Sequence, residues 1–432
     1  MMPIRMWRAG GGLYGVIKSA GEIRGLLQRA ANPPTVRLYP RADGPGSSQD
    51  LPQFAAMAGR VAPVPLDLDD PTWAWSRECL RTLGACIDSE PIKYRVVPAA
   101  DPNAYEYYSP DFHPRPIVAR DPLPGRPHLF VHNVLRQLGL RGVRIEASPM
   151  PAVLRGSGLG GSNLAHAAAL ILGSAVLELP LDLSQIYVAA TELENHFGVA
   201  EVDGALSVGV SLTGGQETLT AFQGGVWDNV HLPIQLGPHG VISREIVAPI
   251  DYGALSRHLL LVNVGRRRAP GVTSSGVNND WIRAWESAEG TRQHSKKINV
   301  AWEAAEAMRA HDWRRFCEAV TSYRKIRAAL SQRYIAGQDE LAVLCARVDA
   351  TWFPVGAGSG TCLVAAEDPQ SISTIREAIE STQDISKGRT TIPFAVRSNG
   401  IVFQNFKESG LAVPPLPGLL SAPISPVAEL PS

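Results

Sequence analysis

The chain has 432 residues, 45% of them hydrophobic and 19% charged, the balance of a globular protein with room for two domains. Its 41 basic and 41 acidic side chains cancel, so no global positive field is offered to a nucleic acid or to an anionic membrane, and neither partner is expected. The five cysteines (Cys79, Cys86, Cys317, Cys345 and Cys362) are odd in number and lack C-x-x-C spacing, which argues against a disulfide framework or a zinc site and for reduced, cytoplasmic thiols.

The opening MMPIRMWRAGGGLYG breaks into glycines before an apolar stretch of signal-peptide length can form, and no later run reaches the roughly 18 apolar residues of a spanning helix. Export and membrane insertion are therefore not expected. From Ala31 to about Pro65 the chain is rich in proline, glycine and serine, and it reads as a long loop or insertion. Trp73 to Cys86 has the spacing of an amphipathic helix, while Lys93 to Val97 and Glu106 to Ser109 read as short strands. Gly142 to Ser148 alternates Val143, Ile145 and Ala147 with Arg144 and Glu146, as a half-buried strand should.

Ser162 to Leu179 is almost entirely alanine, leucine, isoleucine and valine, which predicts a buried central helix. Ser184 to His196 predicts a second helix, His258 to Val264 a strand, and Asn299 to Val348 a helical region with turns near His311 and Gly337. Trp352 to Glu367 reads as strand, glycine loop, strand. Beyond about Gly410 the tail is proline-rich and almost uncharged, so it is expected to be disordered or draped on the surface.

Two glycine clusters are placed for chemistry. Arg155, Gly156, Ser157, Gly158, Leu159, Gly160, Gly161, Ser162 and Asn163 lie between a predicted strand and the most apolar helix. Glycines allow close backbone approach to a ligand, and the free amides of the following helix favour an anion such as phosphate. Ser162 falls at the helix start, where its hydroxyl could cap the helix or ligate a magnesium ion. The run is neither a Walker loop nor a dinucleotide G-x-G-x-x-G. The second cluster is Gly356, Ala357, Gly358, Ser359 and Gly360, between two apolar strands.

With these residues in view, PAVLRGSGLGGSNLAHAAAL resembles the phosphate loop of the GHMP kinases, written G-L-G-S-S-A-A. Gly158, Leu159, Gly160 and Ser162 match, whereas Gly161 replaces the first serine and Asn163 departs. WFPVGAGSGTCLVAAED resembles the late motif K-x-x-G-A-G-x-G-G of the same superfamily. TGGQETLTAFQGG resembles the G-G-x-Q-D-Q segment of its heptose-kinase and fucokinase branch, with Gln216 aligned and Glu217 in place of the aspartate. LLLVNVGRRRAPGV resembles that branch's strand ending in T-G-x-x-R, with Gly265 and Arg268 matching. PIRMWRAGGG resembles the branch's opening, though Leu13 and Tyr14 stand where threonine and aspartate are usual. The likeness covers Gly142 to Gln404 well and the first 141 residues poorly.

The resemblance implies an α+β, two-domain GHMP kinase fold. An N-terminal mixed α/β domain over residues 1–250 would carry the phosphate loop and the insertion at 31–65. A ferredoxin-like C-terminal domain would span 251–410, with a tail at 411–432. It implies ATP held by residues 155–163, Mg2+ on Ser162 and on Glu194 of the TELENHF helix (Glu192 being the other candidate), and substrate contacts from Gln216, Gly356, Ala357, Gly358, Ser359 and Arg268. Glu217 would act on the acceptor hydroxyl. The expected reaction is phosphoryl transfer to a hydroxyl, the anomeric one, of a sugar or sugar phosphate. A catalytically silent relative and a kinase for a non-sugar alcohol remain alternatives, and a homodimer is compatible with the chain.

Overall fold

The computed structural model describes residues 19–30, 32–46, 80–111, 113–121, 130–150, 161–179, 181–197, 199–202, 205–208, 216–231, 241–264, 277, 280–281, 283–284, 287–335, 338–356, 360–381, 389–405 and 411–412. Helix α1 (Ala20–Arg29) comes first. The Ser19 side chain accepts from the Glu22 backbone N–H, and the Glu22 carboxylate accepts from Ser19 N at 2.6 Å, a reciprocal capping box. Strands β1 (Thr35–Leu38) and β2 (Arg41–Asp43) follow. The loop expected from Ala31 is thus corrected: it contains two strands, and its remainder at 47–65 lies outside the described residues. Four residues give too short a pattern to read, and β1 owes its order to non-local partners. It pairs antiparallel with β4 (Ile92–Pro98) on one side and with β16 (Val402–Gln404) on the other, and Val36 and Leu38 are fully buried.

A second correction concerns Trp73 to Cys86. Residues 80–86 form strand β3 (Leu80–Cys86), not part of a helix, and 73–79 lie outside the described residues. Thr82 through Cys86 are all buried between β2 and β10 (Val226–His231). A strand covered on both faces loses its period-two alternation and reads like a buried helix.

The largest sheet has seven strands in the order β17-β16-β1-β4-β7-β5-β6, completed by β5 (Tyr105–Tyr108), β6 (Ile117–Ala119), β7 (Val143–Ala147) and β17 (Leu411–Ala412). The tail expected from residue 411 therefore begins with a strand, because β16 offers Leu411 and Ala412 a partner edge at Phe403 and Val402. Residues 413–432 lie outside the description. β5 and β7 run parallel, joined by a crossover that includes helix α2 (Phe130–Gln137), whereas the sheet's other pairs are antiparallel. Helix α3 (Gly161–Val176) lies in the core beneath this sheet, and Leu164 through Val176 are all buried. Leu164, Leu170, Ile171, Leu172 and Val176 each stabilise the fold by about 1.5–3 kcal/mol through burial. Helix α4 (Leu183–Phe197) packs beside α3, and the short ribbon β8 (Val199–Val202) and β9 (Ala205–Val208) follows.

Helix α5 (Gln216–Gln223) leads into a second sheet ordered β11-β10-β3-β2, with β11 at Val241–Glu245. Helix α6 (Tyr252–His258) and strand β12 (Leu259–Asn263) begin the last unit. Its long helices are α7 (Ala288–Arg309), α8 (Trp313–Leu330) and α9 (Asp339–Arg347), with turns at His311 and Gln338 close to those expected. The third sheet, β13-β14-β12-β15, uses β13 (Ala350–Pro354), β14 (Thr361–Ala366) and β15 (Thr390–Pro393), with α10 (Pro369–Ser381) packed against it.

One hydrophobic core joins the second and third sheets, including Leu83, Ala85 and Val226 before residue 250 and Leu261, Phe316 and Leu363 after it. Arg244 on β11 ties the same surfaces electrostatically, reaching Asp228 at 3.0 Å and Glu306 of α7 at 2.7 Å. After β15 the chain crosses back to the first sheet through residues 395–400, braided into its neighbours. Arg397 N donates to Cys86 O, Cys86 N to Gly225 O, and Gly225 N to Arg397 O, at 2.9, 3.0 and 2.7 Å.

Candidate active site

Strand β7 leaves the sheet as its sequence dictates, with Val143, Ile145 and Ala147 inward. Ser148 closes it, donating its N–H to Lys93 O at 2.7 Å and accepting from Lys93 N through its hydroxyl at 2.9 Å. Two residues later Met150 N donates to the Asp111 carboxylate at 2.5 Å. Arg155, Gly156, Ser157, Gly158, Leu159 and Gly160 lie outside the described residues. Gly161, Ser162 and Asn163 form the first turn of α3, whose four leading amides have no partner within the helix. That turn contains no acidic residue, so the positive end of the helix dipole is not neutralised by its own sequence.

Only six residues separate α3 from α4, so the two pack as an antiparallel hairpin. Ser162 at the start of α3 and Glu192 and Glu194 near the end of α4 therefore share one end of the pair. Helix α5 packs against both, and Gln216 and Glu217 are its first two residues.

The start of α5 leads to two residues that sequence reasoning missed. Gln216 is 7% exposed, and its Nε2 donates to Asp43 Oδ2 at 3.3 Å. Asp43 in turn forms an ion pair with Arg41 within β2, and both are essentially excluded from solvent. A buried ion pair is tolerated only where geometry and further hydrogen bonds offset the desolvation of both charges, so this cluster at the foot of α5 is tightly specified. No motif signal marked Arg41 or Asp43, since β2 is three residues long inside a segment whose composition reads as loop.

The late glycine cluster sits between β13 and β14, as expected. Gly356 has φ +60° and Gly360 φ +135°, Val355 N donates to Thr361 O and Val264 N to Gly360 O, each at 2.8 Å. These bonds tie the loop's base to the end of β12. Ala357, Gly358, Ser359, Gly265 and Arg268 lie outside the described residues, as does the opening motif at 3–14. On β4 and β5, burial above all pushes the Tyr94 and Tyr107 hydroxyls well above the ordinary tyrosine range, and the Asp111 charge adds to it. Both hydroxyls therefore stay protonated near neutral pH.

The architecture matches known enzymes along most of its length. A putative sugar kinase from Campylobacter jejuni superposes with a TM-score of 0.54 at 16% identity, over 86% of this chain and 98% of that one. Galactokinase of Lactococcus lactis, solved with galactose, gives 0.55 at 12% identity over 91% and 98%. The fold is that of the GHMP kinases. Phosphomevalonate kinase of Streptococcus pneumoniae, solved with phosphomevalonate and AMPPNP, gives 0.55 at 13% identity over 79% and 95%. No family model and no curated protein matches the chain. At such identities the likeness establishes the GHMP kinase fold, and what this chain acts on must be argued from its own residues.

Among the described residues no helix is long and apolar enough to cross a membrane. No cluster of three or more His, Cys, Asp or Glu side chains forms a metal site there either. Cys86, Cys317, Cys345 and Cys362 are free thiols, and Cys79 lies outside the description.

Proposed function

We propose that this protein is an ATP-dependent kinase that transfers the γ-phosphoryl group to a hydroxyl of a small molecule, a sugar or sugar phosphate, at the anomeric position. One observation carries the reading. In a fold shared with kinases over most of its length, α5, which begins with Gln216 and Glu217, packs against the helix pair that bears Ser162 and Glu194, and Gln216 bonds to the buried Arg41–Asp43 pair.

The α3 N-terminus suits a polyphosphate, because its amides point outward and its first turn is free of carboxylates. In the proposed site, residues 155–163 cradle the triphosphate, and Ser162 and Glu194 hold a magnesium ion, which would neutralise phosphate charge. Gly356, Ala357, Gly358, Ser359 and Arg268 face the substrate. Glu217 accepts the proton of the attacking hydroxyl. Gln216, fixed by Asp43, holds the first turn of α5 and so aims Glu217. Phosphoryl transfer depends mainly on positioning and charge neutralisation, so no covalent intermediate is needed. The ferredoxin-like character of the C-terminal unit and a cytoplasmic location belong to the same proposal.

The test is ATP consumption with magnesium across free hexoses, heptoses, their phosphates and non-sugar alcohols, with wild type and Glu217→Ala side by side. The expected result is turnover of one sugar, reduced about 10²-fold or more in the variant. Nucleotide binding without turnover of any acceptor would replace the proposal by a catalytically silent relative. Turnover confined to a non-sugar alcohol would redirect the substrate class.

A further inference from the structure

We infer that Gln223, through Asn229 and Ser243, is a positioning residue that fixes the far end of α5 on the second sheet and thereby the place of Glu217 at its start. The inference rests on the kinase reading for its catalytic consequence, but not for its geometry. Gln223 Nε2 donates to Ser243 Oγ at 2.7 Å and to Asn229 Oδ1 at 3.3 Å, and Ser243 Oγ donates to Asn229 Oδ1 at 2.6 Å. All three side chains are buried. Asn229 and Ser243 are cross-strand partners on β10 and β11, so the last residue of α5 is bonded to two strands at once.

Strand register puts this triad on one face of the sheet with the other points that touch α5. Asp43 pairs with Gly84 and Gly84 with Trp227, and Asn229 lies two residues beyond Trp227, so all four share that face with Ser243. Gln216, Thr220 and Gln223 are spaced i, i+4, i+7 and form one stripe of α5. The stripe meets the strands in order: Gln216 at Asp43 on β2, Thr220 at Gly84 on β3, and Gln223 at Asn229 and Ser243 on β10 and β11. At the middle point the approach is so close that a Cβ on Gly84 would lie 2.3 Å from Thr220 Oγ1. An eight-residue helix spans about 12 Å, and the three strand spacings from β2 to β11 come to about 14 Å, so α5 reaches across the whole sheet.

The two sides of α5 hold it by different chemistry. Leu219 and Phe222 pack into the core of the first sheet, where apolar contact has no preferred direction and tolerates a small slide. The stripe toward the second sheet is polar and buried, and its hydrogen bonds are satisfied in one register only. Held at Gln216 alone, α5 would pivot about its first turn; held at Gln223 as well, it cannot. A displacement of about 1 Å at a reacting group is enough to cost on the order of 10²-fold in rate.

The test compares wild type, Gln223→Met, Ser243→Ala and Ser243→Thr in two assays. Amide hydrogen exchange read by mass spectrometry follows the opening of α5 whether or not the protein is a kinase. Steady-state kinetics with ATP and the accepted sugar separates kcat from KM. Gln223→Met keeps the length of the side chain and loses both of its bonds. It should exchange the α5 amides roughly tenfold faster and lower kcat roughly tenfold, with KM for ATP within about threefold of wild type, because the proposed nucleotide contacts are not on α5. Ile375→Val, a core change on α10, controls for general destabilisation and should leave kcat and α5 exchange as in wild type.

If Gln223→Met does not fold, the serine pair carries the test: Ser243→Ala should reproduce both effects, and Ser243→Thr, which keeps the hydroxyl, should stay within about threefold of wild type. Wild-type α5 exchange in Gln223→Met, or in Ser243→Ala where the serine pair decides, overturns the inference. Faster exchange with an unchanged kcat overturns the positioning role, as does an equal fall of kcat in Ile375→Val. A wild type that turns over no acceptor, with α5 of Gln223→Met still exchanging faster, removes the kinase reading and leaves the anchor standing.

Discussion

Gly224→Ala should destabilise the protein and misplace the candidate catalytic helix at once. Gly224 follows the last residue of α5 and has φ +67°, a conformation that disfavours any residue with a Cβ by about 1–2 kcal/mol. An added Cβ would also lie 2.4 Å from Ser398 O, 2.5 Å from Gly400 N and 2.8 Å from Asn399 C. All three are backbone atoms of the crossing segment, so no side-chain rotation relieves the overlap, and overpacking of this kind adds about 1–3 kcal/mol. The expected loss is about 3 kcal/mol.

Because the clash pushes α5 away from residues 398–400, it displaces the helix that begins with Gln216 and Glu217. Urea unfolding followed by tryptophan fluorescence reads the first effect, and ATP turnover the second. Gly253→Ala is the control of opposite sign: Gly253 is exposed within α6, a Cβ there meets nothing within 4 Å, and the change should stabilise by about 0.5 kcal/mol. A Gly224→Ala protein as stable as wild type would refute the steric account of the crossing.

Further outcomes follow from buried titratable groups. Burial, aided by the positive charges of Lys297 and Arg327, pushes His294 down to about 2, while its unfolded value stays near 6.5. Between those limits the unfolded chain binds a proton that the folded chain refuses, so the stability is full above pH 6.5 and falls as the pH drops, by about 1.4 kcal/mol per unit. Unfolding midpoints at pH 7.5 and 5.0 should therefore diverge more in wild type than in His294→Gln, and equal divergence would sink the assignment. Burial also pushes the Cys86 and Cys345 thiols up to about 12 and Cys362 well above its ordinary range. Reaction with a thiol reagent at pH 8 should leave all three unlabelled until the protein is unfolded, as peptide mapping would show.

How much of the site could be read in advance differed by element. The start of α3 was legible because the run from Leu164 to Val176 is long, apolar but for His166, Gly173 and Ser174, and preceded by glycines, so composition alone locates the helix terminus and its free amides. β7 was legible because one of its faces is half-exposed and its alternation survives. The strands β13 and β14 flanking the late glycines, and β12 beside them in the sheet, were legible as apolar runs too short for helices.

Arg41, Asp43 and β3 were not legible, and the reason is the same in each case. A strand of three or four residues, or one buried on both faces, carries no period of its own, and its order comes from partners far away in the chain: β1 from Val402 to Gln404, β2 from β3, and β3 from β10. The sequence by itself determined which helix ends offer amides and carboxylates. Only the tertiary structure decided that Gln216 at the start of α5 meets a buried ion pair on β2, because that meeting depends on sheet order and helix packing between residues nearly two hundred positions apart, which local pattern does not encode.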